Sequence, residues 1–215
     1  MSSKFFRNAL LLNGVFSGAA SMGLVAQSPK PFAGSHPADI DVAVTYIAER
    51  AKIASVDCGC FWLQGGSGNV AFAFFHGLGV AADLTGVHSS NIADGVGLDK
   101  IMFAAGPRYA FTPEGWSKRH LGRSRDVSIF GEALFGNAHA FNSVFPSSSG
   151  TNTSDSSFAV EIGGGVNLGM TRNVGIRALE VDYLRSTLPN NGNNTQNDLR
   201  LGAGLDLHFH LPMKK

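Results

Sequence analysis

The chain has 215 residues, of which 27 are glycine, 44% are hydrophobic and only 15% are charged, with a formal net charge of +1. That composition excludes a disordered chain and a highly charged soluble helical protein. The near-neutral balance excludes an overall electrostatic footprint for nucleic acid, and the length suits one domain.

The longest apolar stretch lies at the N-terminus, which excludes a multi-pass helical membrane protein. Lys4 and Arg7 precede residues 9–26, a mostly apolar run interrupted by Asn13, Gly14, Ser17, Gly18, Ser21 and Gly23. A basic start, apolar middle and small-residue end describe a secretory signal peptide over residues 1–26. Cleavage is expected after Ala26, with Ala20 as the alternative. An uncleaved helical anchor is disfavoured by the three glycines. Removal of 1–26 takes two of the 17 basic residues and none of the 16 acidic ones, so the mature chain carries a net charge of about −1. Residues 27–38 form a Pro-containing linker.

Period-two alternation then recurs as far as Phe209, and a period of two sorts side chains onto opposite faces of an extended strand. The first run, 39–48, sets Val42, Val44 and Tyr46 against Asp41, Ala43 and Thr45. The second, 66–75, has Val70, Phe72 and Phe74 on one face and leads through a short His76-Gly77 turn into the third, 79–87, with Val80, Ala82 and Leu84 against Ala81, Asp83 and Thr85. The fourth, 100–111, sets Ile101, Phe103, Ala105, Tyr109 and Phe111 against Met102, Ala104, Gly106 and Arg108. The fifth, 127–140, is irregular because Phe130 and Leu134 share a face with Ser128 and Glu132. The sixth, 157–168, sets Phe158, Val160, Ile162, Val166 and Leu168 against Glu161, Gly163, Gly165 and Asn167. In the seventh, 174–184, Val181 and Tyr183 oppose Glu180 and Asp182, but Arg177 falls on the apolar parity, which a bulge near Gly175 or a place at the membrane rim would reconcile. The eighth, 199–209, alternates without a break, with Leu199, Leu201, Ala203, Leu205, Leu207 and Phe209 on one side and Arg200, Gly202, Gly204, Asp206 and His208 on the other.

Eight strands with one apolar and one small or charged face predict an all-β fold, an eight-stranded antiparallel up-and-down transmembrane β-barrel over residues 39–209, with 210–215 as a tail. Connections after the first, third, fifth and seventh strands read as long polar loops, 141–156 and 189–197 among them. Those after the second and sixth read as short turns. Outer-membrane barrels have short periplasmic turns and long outside loops, so both chain ends are expected in the periplasm. Residues 112–126 break this rule: Lys118, Arg119, His120, Arg123 and Arg125 make a basic, solvated turn. Tyr46, Trp62, Phe141, Phe158 and Tyr183 fall at the outer ends, and Phe74, Phe75, Tyr109, Phe111 and Phe209 at the inner ends, as two interfacial belts. A soluble lipocalin-like ligand-binding barrel would turn the apolar faces inward instead, leaving a sparse polar coat outside.

On the segments L-Q-G-G-S-G-N-V-A (63–71), A-G-P-R-Y (105–109), E-A-L-F-G-N-A-H (132–139), E-V-D-Y-L (180–184) and L-R-L-G-A-G (199–204), the chain resembles small outer-membrane β-barrel proteins of the outer membrane protein A type. The resemblance spans 39–209. It implies residence in the outer membrane of a Gram-negative-type envelope, lipid as surroundings, insertion by the barrel-assembly machinery, and a monomer. No peptidoglycan-binding domain is expected after residue 209. Barrels of this type commonly end in an aromatic residue, whereas Phe209 here precedes a tail.

The polar faces collect Asp83, Arg108, Glu132, Glu161, Glu180, Asp182, Arg200 and Asp206, together with Asp41 and Lys100. An eight-stranded lumen is just wide enough for side chains to fill, so the expectation is a charge-paired filling rather than a catalytic centre. Asp182 and Glu180 are expected beside Arg200, and Arg108 beside Asp83 or Glu132. A lipid A-modifying enzyme would need a Ser/His pair with an orienting third group. His88, His139 and the loop serines offer candidates but no spacing singles out a trio. No catalytic, cofactor or metal residues are assigned. His208 and His210 share a strand parity, but nothing marks the further ligands a metal needs. Cys58 and Cys60 form a lone C-x-C whose oxidation to a loop disulfide would be strained. The expected role is structural, or in surface contacts through the outside loops.

Overall fold

In the computed structural model the described residues are 39–52, 59–93, 95–113, 118–120, 123–125, 127–147, 150–171, 173–190 and 194–210. The chain forms β1 (Asp39–Lys52), β2 (Cys60–Phe75), β3 (Leu78–Ala93), β4 (Val96–Phe111), β5 (Lys118–His120), β6 (Arg123–Arg125), β7 (Val127–Ser147), β8 (Gly150–Gly169), β9 (Val174–Ser186) and β10 (Gln196–His210). Eight of these close into a barrel in the order β1-β10-β9-β8-β7-β4-β3-β2, every neighbouring pair antiparallel. Closure pairs Val42 with Leu207 and Glu49 with Arg200 across the first and last strands, which leaves no open edge. β5 and β6 form a separate two-stranded hairpin. The basic 112–126 connection thus carries structure of its own where a plain solvated turn was expected.

The inner ends of the strands match the alternation to within a residue or two, but the outer ends run longer. β1 continues to Lys52, β2 begins at Cys60, β3 reaches Ala93 and β7 reaches Ser147. Consequently the expected long loops after the third and fifth strands are largely paired, with Ala93 opposite Val96 and Ser147 opposite Gly150 beyond breaks in register at Ser89/Ala93 and Phe141/Phe145. Antiparallel pairing satisfies backbone groups whatever the side chains, so the ladder persists where Ser, Thr and Asn have replaced the apolar alternation. At the opposite end His76 and Gly77 have φ of 45° and 86°. Two successive positive φ values are the type I′ turn that matches the twist of a hairpin.

The seventh alternating segment contains the anticipated irregularity, three residues later than Gly175. Leu179 pairs with Val166 but Arg177 with Asn167, so Ala178 is an unmatched residue in β9. Ala178 and Leu179 both face outward, and Arg177 turns into the lumen with no exposed surface.

Apolar side chains coat the outside. Val44, Leu84, Phe103, Phe158, Ile162 and Leu205 are each more than half exposed. Tyr46, Trp62 and Tyr183 stand outward toward the outer end, and Phe74, Phe75, Tyr109 and Phe209 toward the inner end. The Tyr46 hydroxyl donates to Gln64 Oε1 at 3.0 Å and the Tyr183 hydroxyl to Asn197 Oδ1 at 2.6 Å. Each ring keeps its apolar body among apolar neighbours and its polar tip on an amide, the habit of an interfacial aromatic. A soluble ligand-binding barrel would have placed these side chains inside.

Candidate functional site

Buried side chains of the described residues line the lumen from the outer mouth to the inner. Toward the outer mouth Ile47, Ala51, Leu63, Val87, Leu98, Ala140, Phe145 and Leu188 pack together, an apolar plug that the alternation did not reveal, because Ile47, Val87 and Ala140 stand at the outer ends of the runs on the polar parity and the other five lie beyond the runs. Within it the Lys100 ammonium bonds to Glu49 and, at 3.0 Å, to Asp198. All three are buried. Neither Glu49 nor Asp198 belongs to the expected network, since both sit on strand extensions past the alternating runs.

Further in, Arg200 donates from Nη1 to Glu161 Oε2 at 2.9 Å, with Asp83 at 3.8 Å and Glu49 at 3.7 Å. Asp83 in turn accepts from the Thr85 hydroxyl at 2.5 Å. Arg200 is paired in register with Asp182, as their placement on adjoining strands suggested, yet its guanidinium goes to Glu161 on β8. Glu180 also departs from expectation and binds Arg177 at 2.9 Å.

Below this level Arg108 donates to Asn69 Oδ1 at 2.8 Å and lies 3.5 Å from Glu132. Arg177 reaches Asn167 at 3.2 Å. Between the two arginines stands Phe130, with the guanidinium of Arg108 3.8 Å and that of Arg177 4.5 Å from its ring centroid. A ring face attracts each cation and keeps the two like charges apart. The breach of parity at Phe130 was visible in the sequence, but its partners across the lumen were not. At the inner mouth His208 bridges Asp41 at 2.5 Å and Asp206 at 3.0 Å.

The eight residues assigned to a lumen network, Asp83, Arg108, Glu132, Glu161, Glu180, Asp182, Arg200 and Asp206, are all buried. They do not form one uniform set of pairs. Carboxylate oxygens of Glu132, Glu161 and Asp182 lie within 4.8 Å of one another, and Asp182 makes no hydrogen bond through either oxygen.

A second polar group lies on the outward face near the outer end. His88 Nδ1 is 2.6 Å from Asp99 Oδ1, Asn142 donates to the other Asp99 oxygen, and His139 Nδ1 meets Ser156 Oγ at 2.7 Å. The His139 ring stacks on Phe141 with centroids 5.7 Å apart. A serine nucleophile needs its base oriented by a third group. Among the described residues no carboxylate bonds His139, because Asp99 is engaged by His88 and Asn142. Cys60 is exposed at the start of β2, while Cys58 lies outside the described residues, as do the 1–26 and 27–38 segments and the 211–215 tail.

No family model and no curated protein sequence matches the chain. Solved structures do. Neisserial surface protein A is similar over 79% of this chain and 97% of its own, at 16% identity and a TM-score of 0.57. Ail, the attachment invasion locus protein of Yersinia pestis, solved in complex with the heparin analogue sucrose octasulfate, is similar over 80% of this chain and 99% of its own, at 17% identity and a TM-score of 0.51. Both are small eight-stranded outer-membrane barrels of the outer membrane protein A type. This chain has their fold. The interior of the present barrel is lined by buried side chains, one of the two fillings that a barrel of eight strands allows.

Proposed function

We propose that the protein is a non-catalytic integral β-barrel of the outer membrane of a Gram-negative-type envelope, exported with residues 1–26 removed, whose outer hairpins make surface contacts. The observation that carries this reading is the inverted polarity of the barrel. Large apolar side chains stand outside between two rows of aromatics, while buried charges fill the inside, an arrangement stable in lipid and costly in water. Lipid is therefore the partner of the wall, and the barrel-assembly machinery is the partner during insertion. A lone barrel with no open edge is expected to be a monomer.

The surface role is supported by the two longest strands. β7 and β8 have 21 and 20 residues, about twice the 9–11 that a membrane requires. Past the outer aromatics they continue as a paired hairpin, with Thr151, Asn152, Thr153 and Ser154 exposed. Paired backbone holds such a projection in one shape, which lowers the ordering cost of binding. Ail, which shares the fold, was solved with a sulfated ligand.

Membrane residence is tested by heat-modifiable gel migration of the protein from purified outer membranes. Recovery in the soluble periplasm, or a band indifferent to heating, would overturn it. The surface role is tested by a membrane-impermeant maleimide on intact cells carrying Ser154→Cys in a background without Cys58 and Cys60. Labelling without permeabilisation is expected, and labelling only after permeabilisation would reverse the orientation.

A further inference from the structure

The buried charges of the barrel do not balance. Among the described residues eight carboxylates are buried, Glu49, Asp83, Glu132, Glu161, Glu180, Asp182, Asp198 and Asp206, against four buried cations, Lys100, Arg108, Arg177 and Arg200. The His208–Asp41 contact at the inner mouth does not alter that excess. Uncompensated charge in a confined interior is costly unless something of opposite sign joins it.

The deficit has a definite place. Glu132 on β7, Gly163 on β8 and Asp182 on β9 form one row across three strands, since Gly163 is paired in register with both of the others. Glu161 stands two residues along β8 on the same inward face. A Cβ on Gly163 would lie 2.0 Å from Asp182 Oδ1, so the Asp182 carboxylate occupies the room a side chain would have taken. The glycine thus makes a shallow cradle over which three carboxylates converge, their ligand oxygens within 4.8 Å of one another. Arg200 satisfies one oxygen of Glu161 and Arg108 stands 3.5 Å from Glu132. Among the described residues no donor satisfies Asp182, which is 1% exposed with neither oxygen hydrogen-bonded, and both Glu132 oxygens also lack hydrogen bonds.

We propose that Glu132, Glu161 and Asp182 form a binding site for one hard divalent cation, of the Ca²⁺ and Mg²⁺ class, inside the barrel. The donors are all carboxylate oxygens, the ligand type these ions select over softer metals. Oxygens on opposite sides of a Ca²⁺ bound at about 2.4 Å are about 4.8 Å apart, so the three fit round such an ion with little rearrangement. The ion ties β7, β8 and β9 together at mid-barrel and offsets much of the lumen's excess negative charge.

The test uses the protein in zwitterionic detergent, free of lipopolysaccharide, whose own phosphates would bind the probe. After chelation and desalting, Ca²⁺ alone is added and followed by calorimetric titration and by the temperature at which the heat-modifiable band shifts. Uptake of about one Ca²⁺ per chain is expected, with a rise in that temperature, and Mg²⁺ is run in parallel for selectivity. D182N is the decisive variant, because its carboxylate makes no hydrogen bond and its loss breaks no pair. It should fold, resist unfolding at least as well as the parent without metal, and lose Ca²⁺ affinity by at least about tenfold through loss of one charged ligand. Asp155→Asn, on the outer hairpin, should leave uptake unchanged. No uptake and no thermal shift in the parent protein would overturn the proposal and assign neutralisation of the cluster to protons. Uptake undiminished in D182N would overturn it equally, by placing the ion elsewhere.

Discussion

Leu205 offers the sharpest measure of whether the outer wall of the barrel faces lipid. On β10 the outward side chains run from Leu199, opposite Tyr183, to Phe209 at the inner end. Ten residue steps at about 3.4 Å, tilted by about 40°, span about 26 Å of height, close to the 25 Å apolar band of outer-membrane barrels. Leu205 lies four steps above Phe209, about 10 Å from the inner edge and about 16 Å from the outer one by the same rise. It is 58% exposed, and its register partners are the apolar Val44 and Ile176. Leu205→Arg therefore places a guanidinium near the bilayer midplane and should cost about 2–4 kcal/mol. Leu199→Arg, at the outer edge, should cost about 0–1 kcal/mol because its side chain reaches the headgroups. Urea titrations of both variants in phosphatidylcholine vesicles, read by heat-modifiable migration, would give the two midpoints. Equal losses at the two positions, or none at Leu205, would refute the assigned faces and depth.

Arg200→Met keeps volume but leaves Glu161, with Asp83 and Glu49 nearby, without a counter-charge; a loss of about 3–5 kcal/mol is expected in the same urea assay. Adding Glu161→Gln should recover part of it, and strict additivity of the pair would deny the contact. Phe130→Leu removes the ring between Arg108 and Arg177 and should cost about 1–3 kcal/mol; an unchanged midpoint would mean the two guanidiniums need no ring between them. Gly163→Ala sets a methyl 2.5 Å from the Val181 carbonyl oxygen as well as against Asp182, so the backbone must shift, at about 1–3 kcal/mol. Wild-type stability in that variant would show that β8 and β9 can separate freely there.

The barrel was legible in the sequence wherever one face met an apolar environment and the other did not. β10 is the clearest instance, because Leu199 to Phe209 alternate strictly and the strand exceeds that run by only four residues. Legibility failed at the outer ends. There Ile47, Leu98 and Phe145 point inward while residues such as Thr151 and Ser154 point into polar surroundings. Once both sides accept either kind of side chain, the period of two no longer separates them, and strand reads as loop. The eight charged residues picked out by parity are buried, but Arg177, Glu49 and Asp198 are buried with them without that signal, and partner choice did not follow from parity at all. Arg200 takes Glu161 from two strands away rather than its register partner Asp182, because a long side chain in a narrow tube reaches the far wall as readily as its neighbour. The partners of Phe130 were hidden for the same reason, and those of Lys100 because Glu49 and Asp198 lie past the alternating runs.

The unmatched residue in β9 has a consequence for how this chain tolerates change in length. Alternation in a strand works like a reading frame of two, in which an added or lost residue inverts everything on one side of it. Ala178 behaves as an insertion already absorbed: Val174 and Ile176 on one side of it, and Leu179, Val181 and Tyr183 on the other, all face outward, so the frame is intact without it. Excising Ala178 would therefore yield a regular strand with the same faces. Removing Val181 would instead throw one stretch of β9 out of frame, sending carboxylates into lipid or Tyr183 into the lumen. Length variation in such a wall is thus confined to places where two consecutive residues can share one side, and β9 carries such a place beside Arg177.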